Sequence, residues 1–199
     1  MTTPQNDALD TRSQERLALF LLIGQAFFFG VALGLLYVVG NTLFLVDYGA
    51  AVLPYVYIAL GIFVSLLFYG LATLQKRWSL NTLSVLTLSL FMSGTFLAWW
   101  RLSQPDARWV SFALMLAFPL GAQIFFVIIG GLAGRLLDVR QMKRLFSRIV
   151  SGAAGGVICG GLLASPLLNQ VNKPEHLLPF AGIGVAIALL LMLVSLGRF

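Results

Sequence analysis

Few side chains in this sequence could carry chemistry, and those few lack the partners that chemistry needs. The lone histidine, His176, follows Pro174 and Glu175 and has no set of cysteines or carboxylates at ligand spacing, so it reads as a loop residue and not as a metal site. The lone cysteine, Cys159, has no second thiol to pair with. No nucleophile–base–acid arrangement, phosphate-binding glycine loop or zinc pattern occurs. The chain therefore reads as a non-enzyme, with no catalytic residue, metal or cofactor expected. Asp47, beside Tyr48 and Gly49 at the edge of an oily segment, reads as a solvated helix-end carboxylate.

More is carried by amides, a proline and glycines set inside uncharged stretches. Gln25, Asn41 and Gln123 are amides of this kind. An amide in hydrocarbon must find a hydrogen-bond partner, so each is expected to face a bundle interior, as glue between helices or as the lining of a solute path. Pro119, two residues before Gly121, removes a helical hydrogen bond and frees a carbonyl, as in helices that bind solutes near mid-membrane. Gln25, Asn41, Pro119 and Gln123 are the candidate substrate-path residues. The pairs Gly30–Gly34, Gly130–Gly134 and Gly156–Gly160 place small residues four apart, which lets two helix backbones approach closely. No stretch carries a charged residue or histidine at its midpoint, so no proton relay is expected within the chain.

Composition dictates the elements that hold these groups. Of 199 residues, 59% are hydrophobic and 10% are charged, with a mean hydropathy of +0.94. A soluble domain has about a quarter of its residues charged. A soluble enzyme, a disordered tail and a disulfide-stapled secreted module are thereby excluded. Uncharged runs at 17–46, 50–74, 79–100, 109–134, 149–168 and 177–197 can each cross a hydrocarbon core of about 30 Å as a helix. The reading is an all-α polytopic membrane protein: a polar leader over 1–16, then a bundle of six transmembrane helices over 17–199. The first run is too long for a signal peptide, and no small-x-small cleavage site follows it.

Cations set the orientation. Arg12, Arg16, Lys76, Arg77, Arg135, Arg140, Lys143, Arg144, Arg148 and Arg198 fall on one side of the alternating spans, and Arg101, Arg108 and Lys173 on the other. Such a bias in short connections puts both termini in the cytoplasm, with a bacterial-type inner membrane as the expected location. Trp78, Trp99, Trp100 and Trp109 all stand near predicted helix ends, at headgroup level. The segment 135–148 interleaves five cations with Leu136, Leu137, Met142, Leu145 and Phe146. It is expected to be a short helix lying at the cytoplasmic interface, its basic side chains meeting anionic lipid or a substrate phosphate at a cavity mouth. Topology accounts for the net charge of +6, so nucleic acid is not an expected partner.

Two stretches resemble a known family. Asn41-Thr-Leu-Phe-Leu-Val-Asp-Tyr-Gly49-Ala-Ala-Val-Leu-Pro54 is similar to the end of the first helix in the ATP:ADP antiporter (nucleotide translocase) branch of the major facilitator superfamily. Gln141-Met-Lys143-Arg144-Leu-Phe146, followed by a glycine-rich helix, is similar to the way that family begins its fifth helix. Tyr37-Val-Val-Gly40-Asn41 stands where those translocases carry a charged, substrate-binding string. The resemblance implies the amino-terminal half of a facilitator, built from two inverted three-helix repeats and working by alternating access on a small, anionic or nucleotide-like solute. A second bundle, from another copy or a separate half, is then required as partner. The alternative is a non-transporting subunit that stabilises or assembles a larger membrane complex.

Overall fold

The computed structural model describes residues 4–105, 107–136, 139–171 and 173–198; the side chains of 4–16, 135, 136, 139 and 141 lie outside that description. The described residues form six long helices and no strand: α1 (Pro4–Tyr48), α2 (Leu53–Gln75), α3 (Leu80–Leu102), α4 (Arg108–Leu136), α5 (Val139–Val171) and α6 (Leu178–Arg198). Each contains a span long and apolar enough to cross a membrane. Helix is what such sequence must form, because lipid offers no partner for a free N–H or C=O. The chain is a multi-pass helical membrane protein whose outer faces contact lipid.

Local chemistry sets the joints. Gly49 ends α1 with a φ of 74°, the left-handed conformation that glycine alone adopts cheaply, and its N–H reaches back to the Leu45 carbonyl. A 3-10 turn, Ala50–Val52, leads directly into α2, with Pro54 in its first turn. Ser79 caps α3, its hydroxyl accepting from the Thr82 N–H at 3.2 Å.

Two boundaries differ from the sequence reading. α1 starts at Pro4, so the polar leader from that residue onward continues the first helix. α5 starts at Val139, so the basic segment is not a separate interfacial helix: Arg140, Lys143, Arg144 and Arg148 occupy the first turns of α5. Arg135 stands in the last turn of α4, and its side chain is outside the described set. Charge marks where a helix leaves lipid, not where its backbone stops, since Lys, Arg and Glu are good helix formers in water.

α1 is the hub. Its backbone packs against α4, α5 and α6, while α3 packs on α6 and α4, and α2 lies mainly on α4. Directions follow from close approaches. Gly24 lies against Leu191 and Gly184 against Phe28, so α1 and α6 are antiparallel. Gly40 meets Leu114 while Phe29 stacks on Phe125 at 5.9 Å, so α4 is antiparallel as well. Gly152 meets Ile23 and Gly160 meets Val31, which makes α5 parallel to α1. Leu80 against Gly131 and Phe91 against Gly121 bring the start of α3 to the end of α4. The connections bearing ten of the thirteen cations therefore share one end of the bundle.

Candidate functional site

The tightest seam is glycine against glycine. A Cβ on Gly30 would collide with the Ala153 carbonyl, one on Gly156 with the Phe27 carbonyl, and one on Gly160 with the Val31 carbonyl. Gly34 faces Val157 and Gly160 in the same way. Gly152, Gly156, Gly160 and the buried Ala164 form one four-residue ladder along α5, and α1 fits against it. This is van der Waals packing, the force that holds helices where lipid is as oily as the core. Gly130 and Gly134 are not part of such a seam, for each has open space where a Cβ would stand. Their neighbour Gly131 makes the close approach, to Leu80.

The four substrate-path candidates do not converge. Gln25 is 3% exposed among Phe29, Leu88, Phe125 and Ala188, on the face of α1 turned to the core. Its Oε1 has no hydrogen-bond partner, and the cavity beside it is only about 10 Å³, barely room for one water. Asn41 lies on a different face of α1, half-buried, and donates to its own helix at the Tyr37 carbonyl, 2.8 Å away. Gln123 and Pro119 are half-buried on α4. Pro119 lacks the N–H that would bond the Met115 carbonyl, yet α4 runs on through it; Pro166, which the sequence reading passed over, sits likewise inside α5.

Two places do gather polar groups. At the end of the bundle away from the basic connections, the Ser111 hydroxyl of α4 donates to the Asp47 carboxylate of α1. Ser111 is fully buried, and the rings of Phe44, Tyr48 and Phe112 surround this joint, with centroids 5.2–6.2 Å apart. Asp47 is thus a helix-to-helix tie and not merely a solvated end. Two to three turns deeper along the same seam, Tyr37 meets Phe118 edge-on at 4.9 Å and remains half-exposed, beside Asn41. Sequence reasoning placed Tyr37 only by resemblance and missed Phe118, because single aromatics in an oily run carry no spacing signal.

At the basic end, α4 and α5 diverge and leave an open groove of about 620 Å³, lined by Phe126, Met142, Lys143, Phe146, Ser147 and Val150. Lys143 is its one charged wall; Arg140, Arg144 and Arg148 are exposed on the same turns of α5 but do not line it. The groove suits an anion with an apolar body. No group of three or more metal-ligating side chains occurs among the described residues, and His176 lies half-buried in the 3-10 turn Pro174–Leu177. Against known proteins, the chain matches no family model, no curated protein and no solved structure.

Proposed function

We propose that the protein is half of a major-facilitator-type carrier, resembling the nucleotide translocase branch, that moves a small anionic solute by alternating access against a second six-helix bundle. The observation that carries this reading is the order of helix contacts. Exchanging α1–α3 with α4–α6 turns the α1–α5 contact into α4–α2 and α1–α6 into α4–α3, and leaves α1–α4 and α3–α6 in place. Such an exchange is what two three-helix repeats of opposite orientation would give, although the α2–α3 and α4–α5 contacts have no counterpart in it. The half-exposed Tyr37–Asn41–Phe118 face of the α1–α4 seam supports a solute path there, and Lys143 in the basic groove supports an anionic solute. The ten-to-three cation bias supports a cytoplasmic location for both termini and for that groove.

A second reading, a non-transporting subunit of a membrane complex, is favoured by one observation. The buried polar side chains of the described bundle are Gln25, Ser84, Thr95, Ser111 and Ser195, none of them charged. Carriers that couple to ions usually place charge at mid-depth. One experiment separates the two. The protein is purified in mild detergent with whatever remains bound, reconstituted, and assayed for counterflow of a panel of phosphorylated and carboxylated solutes. Exchange of an anion, lowered about tenfold or more by Lys143→Ala or Asn41→Leu, is expected. A stoichiometric complex without exchange would favour the subunit, and an isolated monomer with no exchange would end the carrier reading.

A further inference from the structure

A second cavity, of about 350 Å³, lies between α3 and α4 near the end of the bundle that carries few cations. The two helices touch at Leu80–Gly131 and Phe91–Gly121; beyond Gly121 the facing positions are Gly94 and Ala98 on α3 and Ala113 and Ala117 on α4, too small to close the gap. Its lining is almost wholly apolar, because the Thr95 hydroxyl is bound to the Phe91 carbonyl at 2.9 Å. The cavity opens to the membrane side past Leu90 and Leu97, both more than half exposed. Two residues mark its outer end: Arg101, in the last turn of α3, and Trp109, exposed in the first turn of α4. From Val110 to Ile124 the groove follows α4 for about 21 Å, enough for a chain crossing half of a core of about 30 Å.

We propose that this groove is a binding site for one anionic phospholipid, with an acyl chain laid between α3 and α4 and the phosphate at Arg101. The argument is one of matching chemistry. An apolar slot that opens into hydrocarbon takes an apolar chain and not water, and its volume falls in the range of pockets that hold a discrete ligand. The guanidinium pairs with phosphate in two-pronged fashion, and the Trp109 indole, at the same level, is of the type that settles among headgroups. The charge of Arg101 selects an anionic headgroup over a zwitterionic one. Gly94, Ala98, Ala113 and Ala117 hold the gap open between larger apolar side chains, so the slot is part of the fold.

The test is native mass spectrometry of the full chain, released from detergent in the presence of equal phosphatidylglycerol and phosphatidylcholine of identical chains. One retained phosphatidylglycerol per chain is expected. Arg101→Ala should cut the preference over phosphatidylcholine about fivefold, whereas Arg108→Ala, exposed at the same end but outside the groove, should not. Ala113→Phe and Ala117→Phe, each filling the slot, should remove retention of both lipids. A phosphatidylglycerol with a photoreactive chain should label wild-type peptides containing Gly94–Ala98 or Ala113–Ala117. Retention unchanged in both filled variants, labelling elsewhere only, or equal loss in Arg108→Ala would overturn the proposal. So would a stable dimer that Ala117→Phe dissociates, since a helix would then fill the slot.

Discussion

At the scale of single residues, what matters is which atom a side chain would meet. Gly155 and Gly156 are neighbours on α5 with the same helix propensity, yet a Cβ on Gly156 runs into the backbone of α1 and one on Gly155 meets nothing. Gly156→Leu should therefore lower the thermal unfolding temperature sharply, since overpacking costs about 1–3 kcal/mol even where side chains can yield. Gly155→Leu should stay within about 0.5 kcal/mol of the wild type. Equal effects in detergent melts would refute the glycine seam. The Asp47–Ser111 tie makes a similar contrast. Ser111→Ala should destabilise the α1–α4 joint by about 1–2 kcal/mol, while Asp47→Asn, which keeps an accepting oxygen, should retain most of the bond. Many hydroxyls in the spans are satisfied within their own helices: Ser65, Thr73, Thr87, Thr95 and Ser151 each donate to the carbonyl four residues back. The same habit holds for Asn41, whose side-chain N–H is bonded to the Tyr37 carbonyl without leaving α1.

At the scale of elements, the six spans were legible because lipid permits one solution for the backbone and hydropathy reports it directly. The orientation of each face was not legible. Gln25 and Asn41 are sixteen residues apart on α1, about 160° around the axis at 100° per residue, so no single surface can use both. Which of the two faces the core depends on how α4, α5 and α6 pack around α1. Gly130–Gly134 shows the limit of reading spacing alone: the same four-residue interval as Gly156–Gly160 here meets no partner. The helical start of α5 was hidden for a different reason, since a hydropathy window ends at the first cluster of cations while the helix continues through it. One consequence is measurable. With Arg140, Lys143, Arg144 and Arg148 on consecutive turns of a continuous helix, replacing Lys143 alone should alter the groove's anion affinity, and replacing Arg144 alone should leave it nearly unchanged. Titration of an anion shown to exchange provides the check.

At the scale of the whole molecule, the antiparallel and parallel pairings collect the basic connections at one end, and the cytoplasmic location proposed for that end can be tested directly. A cysteine at Gln104, in a Cys159→Ser background, should react with a membrane-impermeant maleimide in intact cells. A cysteine at Gln75, exposed at the end of α2, should react only after permeabilisation. The reverse pattern would invert the topology and move the Lys143 groove to the outer surface. The unequal packing of the helices also bears on what the bundle can do mechanically. α1, α5 and α6 are joined by backbone-to-backbone approaches, whereas α2 is almost unburied. Any partner bundle would meet a rigid body with one loosely held rod.

The contact order has a further consequence for biogenesis. The backbone of α1 touches neither α2 nor α3, and its neighbours α4, α5 and α6 all emerge later from the ribosome. The first helix threaded into the bilayer meets α2 and α3 through side chains alone, such as Phe29 on Phe91, and gains its backbone packing only when the second half of the chain has been made. Neither set of three helices holds a core of its own, so each depends on the other to complete it. Translated separately, the two pieces should be cleared by membrane proteases, and synthesised together in one cell they should rescue each other.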